Sequence, residues 1–306
     1  MSHQVIKVSK NEMEKIKTAY QPYYLNKTVP YTEFVAKKNG LTITAYTSGK
    51  VMFQGNQAEQ EAQQWQGSAA VKKASTTATT ASLPKNFAQL SIIGSDEVGN
   101  GSYFGPLIVC AVYAETAVLE LLKTLGVKDS KMLTDTQIRE LAPQIKACVP
   151  FQLLTVSPKK YNQIQPTYNA VRMKVALHNQ AIHLLLAKIA PKQPDGILID
   201  QFTPEANYRK YLKTEQHPVT KDLYFITKGE QYHLAVAAAS ILCRAQFLEE
   251  LDKASKETGL TIPSGAGAKS DQVAAQLIRR GGIELLSNYV KLHFANTQKA
   301  QKLAQR

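Results

Sequence analysis

The sequence lacks several features that would assign a protein to a class at once. It has no run of the 18 or more apolar residues that a membrane-spanning helix needs. It begins MSHQVIKVSKNEMEKIK, without the apolar core of a signal peptide, which indicates a cytoplasmic protein. Its three cysteines, Cys110, Cys148 and Cys243, are far apart in apolar stretches. They therefore predict buried free thiols, and neither a disulfide framework nor a zinc site.

Acidic residues are also scarce. The 306 residues contain 24 Asp and Glu against 37 Lys and Arg, which gives a net charge of +13. Such a basic balance favours a polyanionic partner such as a nucleic acid, although a lysine-rich soluble surface explains the charge equally well. Because a nucleic-acid enzyme needs metal-binding carboxylates inside a positive groove, the positions of the few acidic residues become informative.

The composition divides the chain in two. A stretch rich in Ala, Ser and Thr predicts a flexible linker at 66–84, between a domain at 1–65 and a second domain at 85–306. In the first domain VIKVS, TEFVAKK, LTITAYTS and KVMFQG predict strands, with hairpin turns at Asn39-Gly40 and Ser48-Gly49. Together with the helical spacing of NEMEKIKTAYQPY, this predicts a small α+β domain with a curved antiparallel sheet and one or two helices.

The first domain also combines basic and aromatic residues. It has eight lysines, five glutamates and no aspartate. Several of its aromatic residues are interleaved with the lysines, among them Tyr20, Tyr23, Tyr24, Tyr31, Tyr46 and Phe53. Such a surface can stack on bases and neutralise phosphates, so we predict that this domain binds substrate. The alternative is that half or more of these aromatic side chains form the core of the small domain.

The second domain has the pattern of an α/β fold. The segments LSIIGS, GPLIVCAVYA, FQLLTVS, GILID and LYFITK predict strands. The segments RMKVALHNQAIHLLLAKIA, HLAVAAASILCRAQFLEELDKASKETG, SDQVAAQLIRRGG and ELLSNYVKLHFAN predict helices. This order favours a mixed sheet flanked by helices.

Four carboxylates fall beside these predicted strands. Asp96 and Glu97 follow LSIIGS, Asp200 ends GILID, and Glu230 follows LYFITK. If they converge, their mutual repulsion requires a cation, and an oxygen-only donor set favours Mg²⁺ or Mn²⁺. Two such ions can clamp the attacking water and the leaving oxygen of a phosphodiester. Each residue also has an ordinary interpretation, because Asp and Glu often cap helices and Asp-Glu pairs are common on surfaces.

Four ordered motifs resemble those of the type 2 ribonucleases H. They are IIGSDEVGNGSYFGPLIVCAVY, KDSKMLT (128–134), GILID and KGEQYHLAVAAASILCRA. The segments TAYTSGKVMFQG, PSGAGAKSD and KLHFANTQKA resemble one branch only, ribonuclease HIII, whose N-terminal domain is like half of a TATA-binding protein. The resemblance implies a ribonuclease H-like fold and an endonuclease that hydrolyses the RNA strand of RNA/DNA hybrids, with 5′-phosphate and 3′-hydroxyl products.

The resemblance also implies roles for individual residues. The implied catalytic residues are the ligands of two Mg²⁺ or Mn²⁺ ions: Asp96, Glu97, Asp200 and Glu230. The implied substrate contacts are Gly99, Asn100, Gly101, Ser130 and Lys131. The first three would read the ribose 2′-hydroxyl through backbone groups, and the last two would contact a phosphate. A plain turn and a solvated surface lysine are the alternatives. The only partner implied is the hybrid, and the enzyme is expected to be monomeric.

Two positions separate this chain from the ribonuclease HII group. That group has aspartate at the position of Glu230 and Gly-Arg-Gly at the position of Gly99-Asn100-Gly101. The glutamate agrees with the HIII branch. Because asparagine removes a fixed cation, we expect cleavage within runs of ribonucleotides and not at a single embedded ribonucleotide.

Other residues invite functional interpretations that the spacing does not favour. His178 and His183 are five residues apart on a predicted helix, which does not place both on one face for metal binding. Cys243 in an apolar helix favours packing, and Arg279-Arg280 favours interaction with a helix C-terminus. Two other functions compete with the hybrid nuclease: a nucleic-acid-binding protein with a structural ion, and a different metal nuclease such as a resolvase or exonuclease.

Overall fold

The computed structural model describes residues 3–25, 29, 32–55, 57–65 and 83–305. The chain forms two compact units, which are divided in sequence within the stretch between residues 65 and 83. The predicted linker, apart from Leu83 and Pro84, lies outside the described residues, so its boundaries stay a prediction. Within the described ranges no helix is long and apolar enough to cross a membrane.

The first unit is the predicted α+β domain. Its elements are β1 (His3–Lys7), α1 (Lys10–Tyr20), β2 (Thr32–Lys38), β3 (Leu41–Tyr46), β4 (Lys50–Gln54) and α2 (Ala58–Gln64). The strands form an antiparallel sheet in the order β1-β4-β3-β2. Both predicted hairpin turns are confirmed, because Asn39, Gly40 and Gly49 have the positive φ angles that such turns require.

The aromatic residues of this unit are divided between core and surface. Tyr20 and Phe53 are buried in the apolar core of the unit, which agrees for these two residues with the alternative interpretation. Tyr23 and Tyr24 are exposed, and Tyr31 lies outside the described residues. Some, but not all, of the predicted aromatic surface is therefore available for contact with a partner.

The second unit contains the predicted mixed sheet. Its strands are β5 (Ile92–Val98), β6 (Leu107–Ala114), β7 (Phe151–Val156), β8 (Gly196–Asp200) and β9 (Leu223–Ile226). Its helices are α3 (Thr116–Thr124), α4 (Asp135–Cys148), α5 (Pro158–Ile164), α6 (Ala170–Ile189), α7 (Glu205–Leu212), α8 (Leu234–Thr258), α9 (Ala268–Ser287) and α10 (Asn296–Ala304). The strand order is β7-β6-β5-β8-β9, and β8 runs parallel to both of its neighbours.

One helix prediction is wrong in part. The segment ELLSNYVKLHFAN leaves the helical conformation after Ser287, because its backbone pairs with the loop that precedes β6. Val290 forms a bridge with Phe104, and the buried Lys291 donates from its backbone to Tyr103 and from Nζ to Gly105. The backbone contacts satisfy polar groups that a continued helix would have paired internally, and the contact of Nζ gives the buried ammonium group an acceptor.

Strand β5 lies at the centre of this sheet, with helices on both faces. On one face the alanine-rich start of α8 packs directly against it. Gly94 permits this approach, because a Cβ at that position would lie 2.3 Å from the backbone nitrogen of Val236. On the other face α6 contributes Val175, Ile182 and Leu185 to a second apolar cluster. The fold thus fixes the strand that carries Asp96.

Candidate active site

Two of the predicted carboxylates lie at the same edge of the sheet. Strands β5 and β8 are parallel neighbours, and the last registered pair is Ser95 with Ile199. Asp96 and Asp200 are the next residues of the two strands. Because the carboxyl ends of parallel neighbours meet at one edge, the fold brings these two side chains to the same side of the molecule.

The boundary predicted for β5 is wrong. Asp96 and Glu97 do not follow the strand but lie inside it, since β5 continues to Val98. The reason is that β5 has two neighbours of different length. Pairing with β8 stops at Ser95, whereas pairing with β6 continues through Asp96 opposite Cys110. The acidic pair is therefore held by backbone hydrogen bonds on one side and open on the other.

Asp96 is directed towards α8 and is only 8% exposed. Its backbone carbonyl accepts a hydrogen bond from the Cys243 thiol, and its carboxylate accepts one from the Glu97 amide at 2.7 Å. Burial, followed by the charges of Glu97 and Asp200, raises the pKa of Asp96 to about 8, although hydrogen bonds from Ser240 and Glu97 oppose the shift. In the absence of a cation, the site therefore disfavours the charged form of Asp96.

Glu97 is directed towards the opposite helix, α6, because successive side chains of a strand alternate between its faces. Lys174 Nζ lies 2.7 Å from Glu97 Oε1, and His178 Nε2 lies 3.1 Å from Oε2. Burial alone would raise the pKa of Glu97. The hydrogen bond and charge of His178 and the charge of Lys174 outweigh burial, so the pKa lies below its usual value. Glu97 is therefore held ionised beside a partly protonated Asp96.

The role of α6 is not evident from the spacing of its two histidines. His178 and His183 are directed to different neighbours, since His183 stacks on His217. The informative spacing is Lys174 to His178, four residues apart on the face that continues with Ile182. Two polar residues on the apolar face of a helix are the signal that could have revealed the contact.

Asp200 and Glu230 are connected through the turn that follows β9. The backbone amide of Gly229 donates to Asp200 Oδ1 at 2.9 Å. Glu230 lies in a 3-10 turn directly after it, is buried, and pairs with Lys131 Nζ at 3.5 Å. Burial lowers the pKa of Lys131, but attraction to Glu230 and Asp129 outweighs this, so the net shift is upward.

A pocket of about 400 Å³ joins most of the predicted site residues. The residues that line it are Asp96, Glu97, Val98, Ser130, Lys131, Leu133, Asp135, Asp200, Ser240 and Arg244. The Ser130 and Ser240 hydroxyls are 2.8 Å apart, which connects the DSK segment to the helix that faces Asp96. Glu230 is not in the lining but is tied to it through Lys131.

The three residues of the glycine turn are structurally distinct. A Cβ on Gly99 would lie 2.0 Å from the Pro106 carbonyl oxygen, and its φ is +101°, so this glycine is required by the fold itself. Asn100 is exposed. A Cβ on Gly101 would meet nothing within 4 Å. Only Gly101 therefore leaves open space that the fold does not use.

The donor set suits a hard divalent cation. Carboxylate oxygens are the ligands that Mg²⁺ and Mn²⁺ prefer, and the raised pKa of Asp96 indicates negative charge that a cation would relieve. Within the described residues, no three carboxylate, histidine or cysteine side chains already surround one point as a finished metal centre. Lysines pair instead with Glu97 and Glu230.

Two further sequence interpretations can be compared with the structure. Cys243 is fully buried, as predicted for a packing residue. Arg279 and Arg280 donate to backbone carbonyl oxygens at the C-terminal ends of α10 and α8, among them those of Leu303 and Thr258. The arginines therefore bind helix C-termini, as expected, but the C-termini belong to neighbouring helices and not to α9, which carries the arginines.

Comparison with known proteins gives consistent results. The Ribonuclease HII family profile matches residues 93–297, and a domain of unknown function (DUF3378) matches residues 3–78. The chain is 64% identical to ribonuclease HIII of Enterococcus faecalis, with 98% of both chains covered, and 46% identical to that of Listeria monocytogenes, with 100% of both covered.

Solved structures agree with these sequence matches. Bst-RNase HIII in complex with Mn²⁺ is 40% identical, with a TM-score of 0.72 and full coverage of both chains. The ribonuclease H2 of Pyrococcus horikoshii, at 19% identity and a TM-score of 0.58, covers 71% of this chain and 100% of its own. The second likeness is one of fold alone.

Proposed function

This chain belongs to the ribonuclease HIII family and is a ribonuclease H, and from that premise we propose that it cuts the RNA strand of RNA/DNA hybrids internally. The products would be 5′-phosphate and 3′-hydroxyl ends. The observation that carries the proposal is the pocket at the carboxyl edge of β5 and β8, where Asp96, Glu97 and Asp200 meet. Glu230 would be the fourth catalytic carboxylate, joined to the pocket through Lys131.

The four carboxylates would hold two divalent cations. Bound there, Mg²⁺ or Mn²⁺ would supply a more acidic water and stabilise the charge on the leaving oxygen. The protein provides an unequal set of ligands, because Glu97 is already ionised while Asp96 is held partly protonated. Asp96 therefore gains most from a cation, and its proton must leave when the cation binds.

Substrate recognition would use Ser130 and Lys131, which line the same pocket, and the glycine turn, which is not in the lining but directly follows Val98. Lys131 is 77% exposed at its side chain, so it can exchange Glu230 for a phosphate oxygen of the scissile strand. Ser130 offers a hydroxyl already oriented by Ser240. The open space at Gly101 supports close approach of a ribose, whose 2′-hydroxyl distinguishes RNA from DNA.

The first unit would increase affinity for the hybrid. We propose residues 1–65 as a substrate-binding domain, 66–84 as a linker and 85–306 as the catalytic domain. Exposed Tyr23 and Tyr24 beside an excess of lysine support this assignment. Cleavage within runs of ribonucleotides, a monomeric state and a cytoplasmic location remain predictions from the sequence.

The test uses four labelled substrates: an RNA/DNA hybrid, duplex DNA, duplex RNA and a duplex with one embedded ribonucleotide. Each is incubated with the enzyme with and without Mg²⁺ or Mn²⁺, and the products are sized on a denaturing gel. We expect cuts only in the RNA of the hybrid, only with metal, and none with Asp96→Asn. Binding without cutting under both metals would contradict the nuclease proposal and support a binding protein with a structural ion. Cutting of duplex DNA would support a different metal nuclease.

A further inference from the structure

Helix α6 directs two polar side chains into the protein interior next to Glu97. The side chain of Lys174 is 6% exposed and that of His178 is fully buried. Lysine is almost never buried without a partner, because desolvation of its charge is costly. Both are polar residues on the face of α6 that otherwise contributes apolar side chains such as Val175 and Ile182, so their burial calls for polar partners.

Each of the two residues contacts a different oxygen of Glu97. Lys174 binds Oε1 at 2.7 Å, and His178 binds Oε2 at 3.1 Å. A carboxylate oxygen has two lone pairs, so each oxygen retains one for a further ligand. The two contacts therefore restrict rotation of the carboxylate without blocking its access to a cation.

Both residues are themselves held in place. The hydroxyl of Ser95, two residues before Glu97 on β5, donates to the Cys110 carbonyl oxygen and lies 2.7 Å from His178 Nδ1. Phe202 stacks on the His178 ring at a centroid distance of 5.0 Å, and Lys174 Nζ lies 4.1 Å from the centre of the same Phe202 ring. Phe202 comes two residues after Asp200, so the network connects the ends of β5 and β8.

We propose that Lys174 and His178 are positioning residues, which hold the Glu97 carboxylate in the orientation that binds a divalent cation. This inference rests on the proposed function, in which Glu97 is a metal ligand. A buried ion pair adds little net stability, because desolvation offsets the attraction. Groups that orient a metal ligand, in contrast, typically change metal affinity or activity about 10- to 100-fold.

Positioning and simple charge predict opposite results for Lys174. If Lys174 acts only as a nearby positive charge, Lys174→Met should tighten cation binding, whether or not Glu97 can ionise. If Lys174 orients Glu97, the same substitution should weaken binding, and only while Glu97 is a carboxylate. His178→Phe removes the contact but retains an aromatic ring to stack on Phe202.

The experiment measures Mn²⁺ binding to the full chain without substrate, from the electron paramagnetic resonance signal of free Mn²⁺. Lys174→Met and His178→Phe are each made alone and together with Glu97→Gln. We expect each to weaken Mn²⁺ binding about 10-fold alone and less than about 2-fold in the Glu97→Gln background. The matched control is Lys188→Met, on the same helix but hydrogen-bonded to the Phe151 carbonyl, which should leave Mn²⁺ affinity unchanged.

Kinetics and unfolding complete the test. On the hybrid, kcat should fall while KM stays within about 2-fold, since neither residue lines the pocket. Circular dichroism confirms folding, and His178→Phe carries the test if Lys174→Met does not fold. Tighter Mn²⁺ binding by Lys174→Met in both backgrounds, or unchanged binding by both variants, would overturn the positioning role. If Glu97→Gln itself changes neither Mn²⁺ binding nor cleavage, the proposed function is what fails.

Discussion

Replacement of Asp96 by asparagine should stabilise the metal-free enzyme while abolishing its activity. The buried Asp96 carboxyl has a pKa raised to about 8 from an ordinary value of 3.8. Because the folded state then holds the proton more tightly than the unfolded state, ionisation of Asp96 opposes folding. This destabilisation is absent below about pH 4, grows as the pH rises, and is complete above about pH 8. Asparagine has the same shape and no charge, so it avoids the penalty.

The size of the effect follows from the two pKa values. Between pH 5 and pH 8 the penalty rises over about 3 pH units, and 1.36 kcal/mol per unit gives a ceiling of about 4 kcal/mol. Water penetration and rearrangement of the neighbouring carboxylates reduce this ceiling. We therefore expect the stability gained by Asp96→Asn to grow by at least about 1 kcal/mol over this range, or about 2–4 °C in Tm.

The assay is thermal unfolding of both proteins in EDTA at pH 5 and at pH 8. The difference between variant and unsubstituted protein is compared at the two pH values, so that groups common to both cancel. Asp252→Asn is the control, because that carboxylate is 54% exposed and pairs with Arg139 at the surface. Its difference should be the same at both pH values. Added Mn²⁺ should then raise the Tm of the unsubstituted protein more than that of Asp96→Asn.

A variant that is less stable than the unsubstituted protein at both pH values would refute this reasoning. So would a difference that does not grow with pH, because the growth comes only from Asp96 ionisation. Either result would mean that Asp96 is already compensated in the metal-free enzyme.

Three further predictions concern the glycine turn, Lys131 and the first unit. Gly99→Ala should lower the free energy of unfolding by about 2 kcal/mol or more, because its Cβ would meet the Pro106 carbonyl. Gly101→Ala should leave Tm unchanged and lower kcat/KM on the hybrid about 10-fold, and equal effects of the two variants on Tm would contradict the distinction between the two glycines. Lys131→Met should weaken hybrid binding and reduce the slope of log affinity against log salt by about one, as titrations at several salt concentrations would reveal; an unchanged slope would remove Lys131 from the phosphate contacts. Deletion of 1–65 should raise KM and flatten the salt dependence while leaving a folded catalytic unit, and unchanged binding would defeat the assignment of that unit to substrate.

The sequence predicts best where one residue type has one structural meaning. GILID is a short apolar run followed by a polar segment, and Asp200 ends its strand as expected. Asn39-Gly40 forms the predicted hairpin turn, because both residues adopt the positive φ angles that such a turn requires. The sequence predicts the correct edge of the sheet for Asp96 but places it after β5 and not inside it. The reason is that β5 ends at Ser95 in its pairing with β8 and at Val98 in its pairing with β6. That length is a tertiary property, set by β6 on one side and β8 on the other.

The partners of Glu97 were beyond a motif-based argument for a similar reason. Lys174 and His178 are about 80 residues from Glu97 in sequence, and the contact depends on the packing of α6 against the sheet. The periodicity of the segment predicts the helix, but the spacing of its two histidines says only that they do not form a metal-binding pair. Polar residues on a face that should be apolar indicate a buried partner, although they do not identify it.

The close contact at Gly94 has a consequence for local unfolding. From Ile92 to Ser95, strand β5 is hydrogen-bonded on both sides and packs closely against α8, so the amides of this part should open only when the second unit unfolds as a whole. Fraying of a peripheral element such as α10 leaves that strand in place. Asp96 directly follows this slowly opening part of β5, whereas the side chains of Lys131 and Asn100 are exposed. The absence of a side chain at position 94 should therefore give the Asp96 backbone a firm support through the approach of α8.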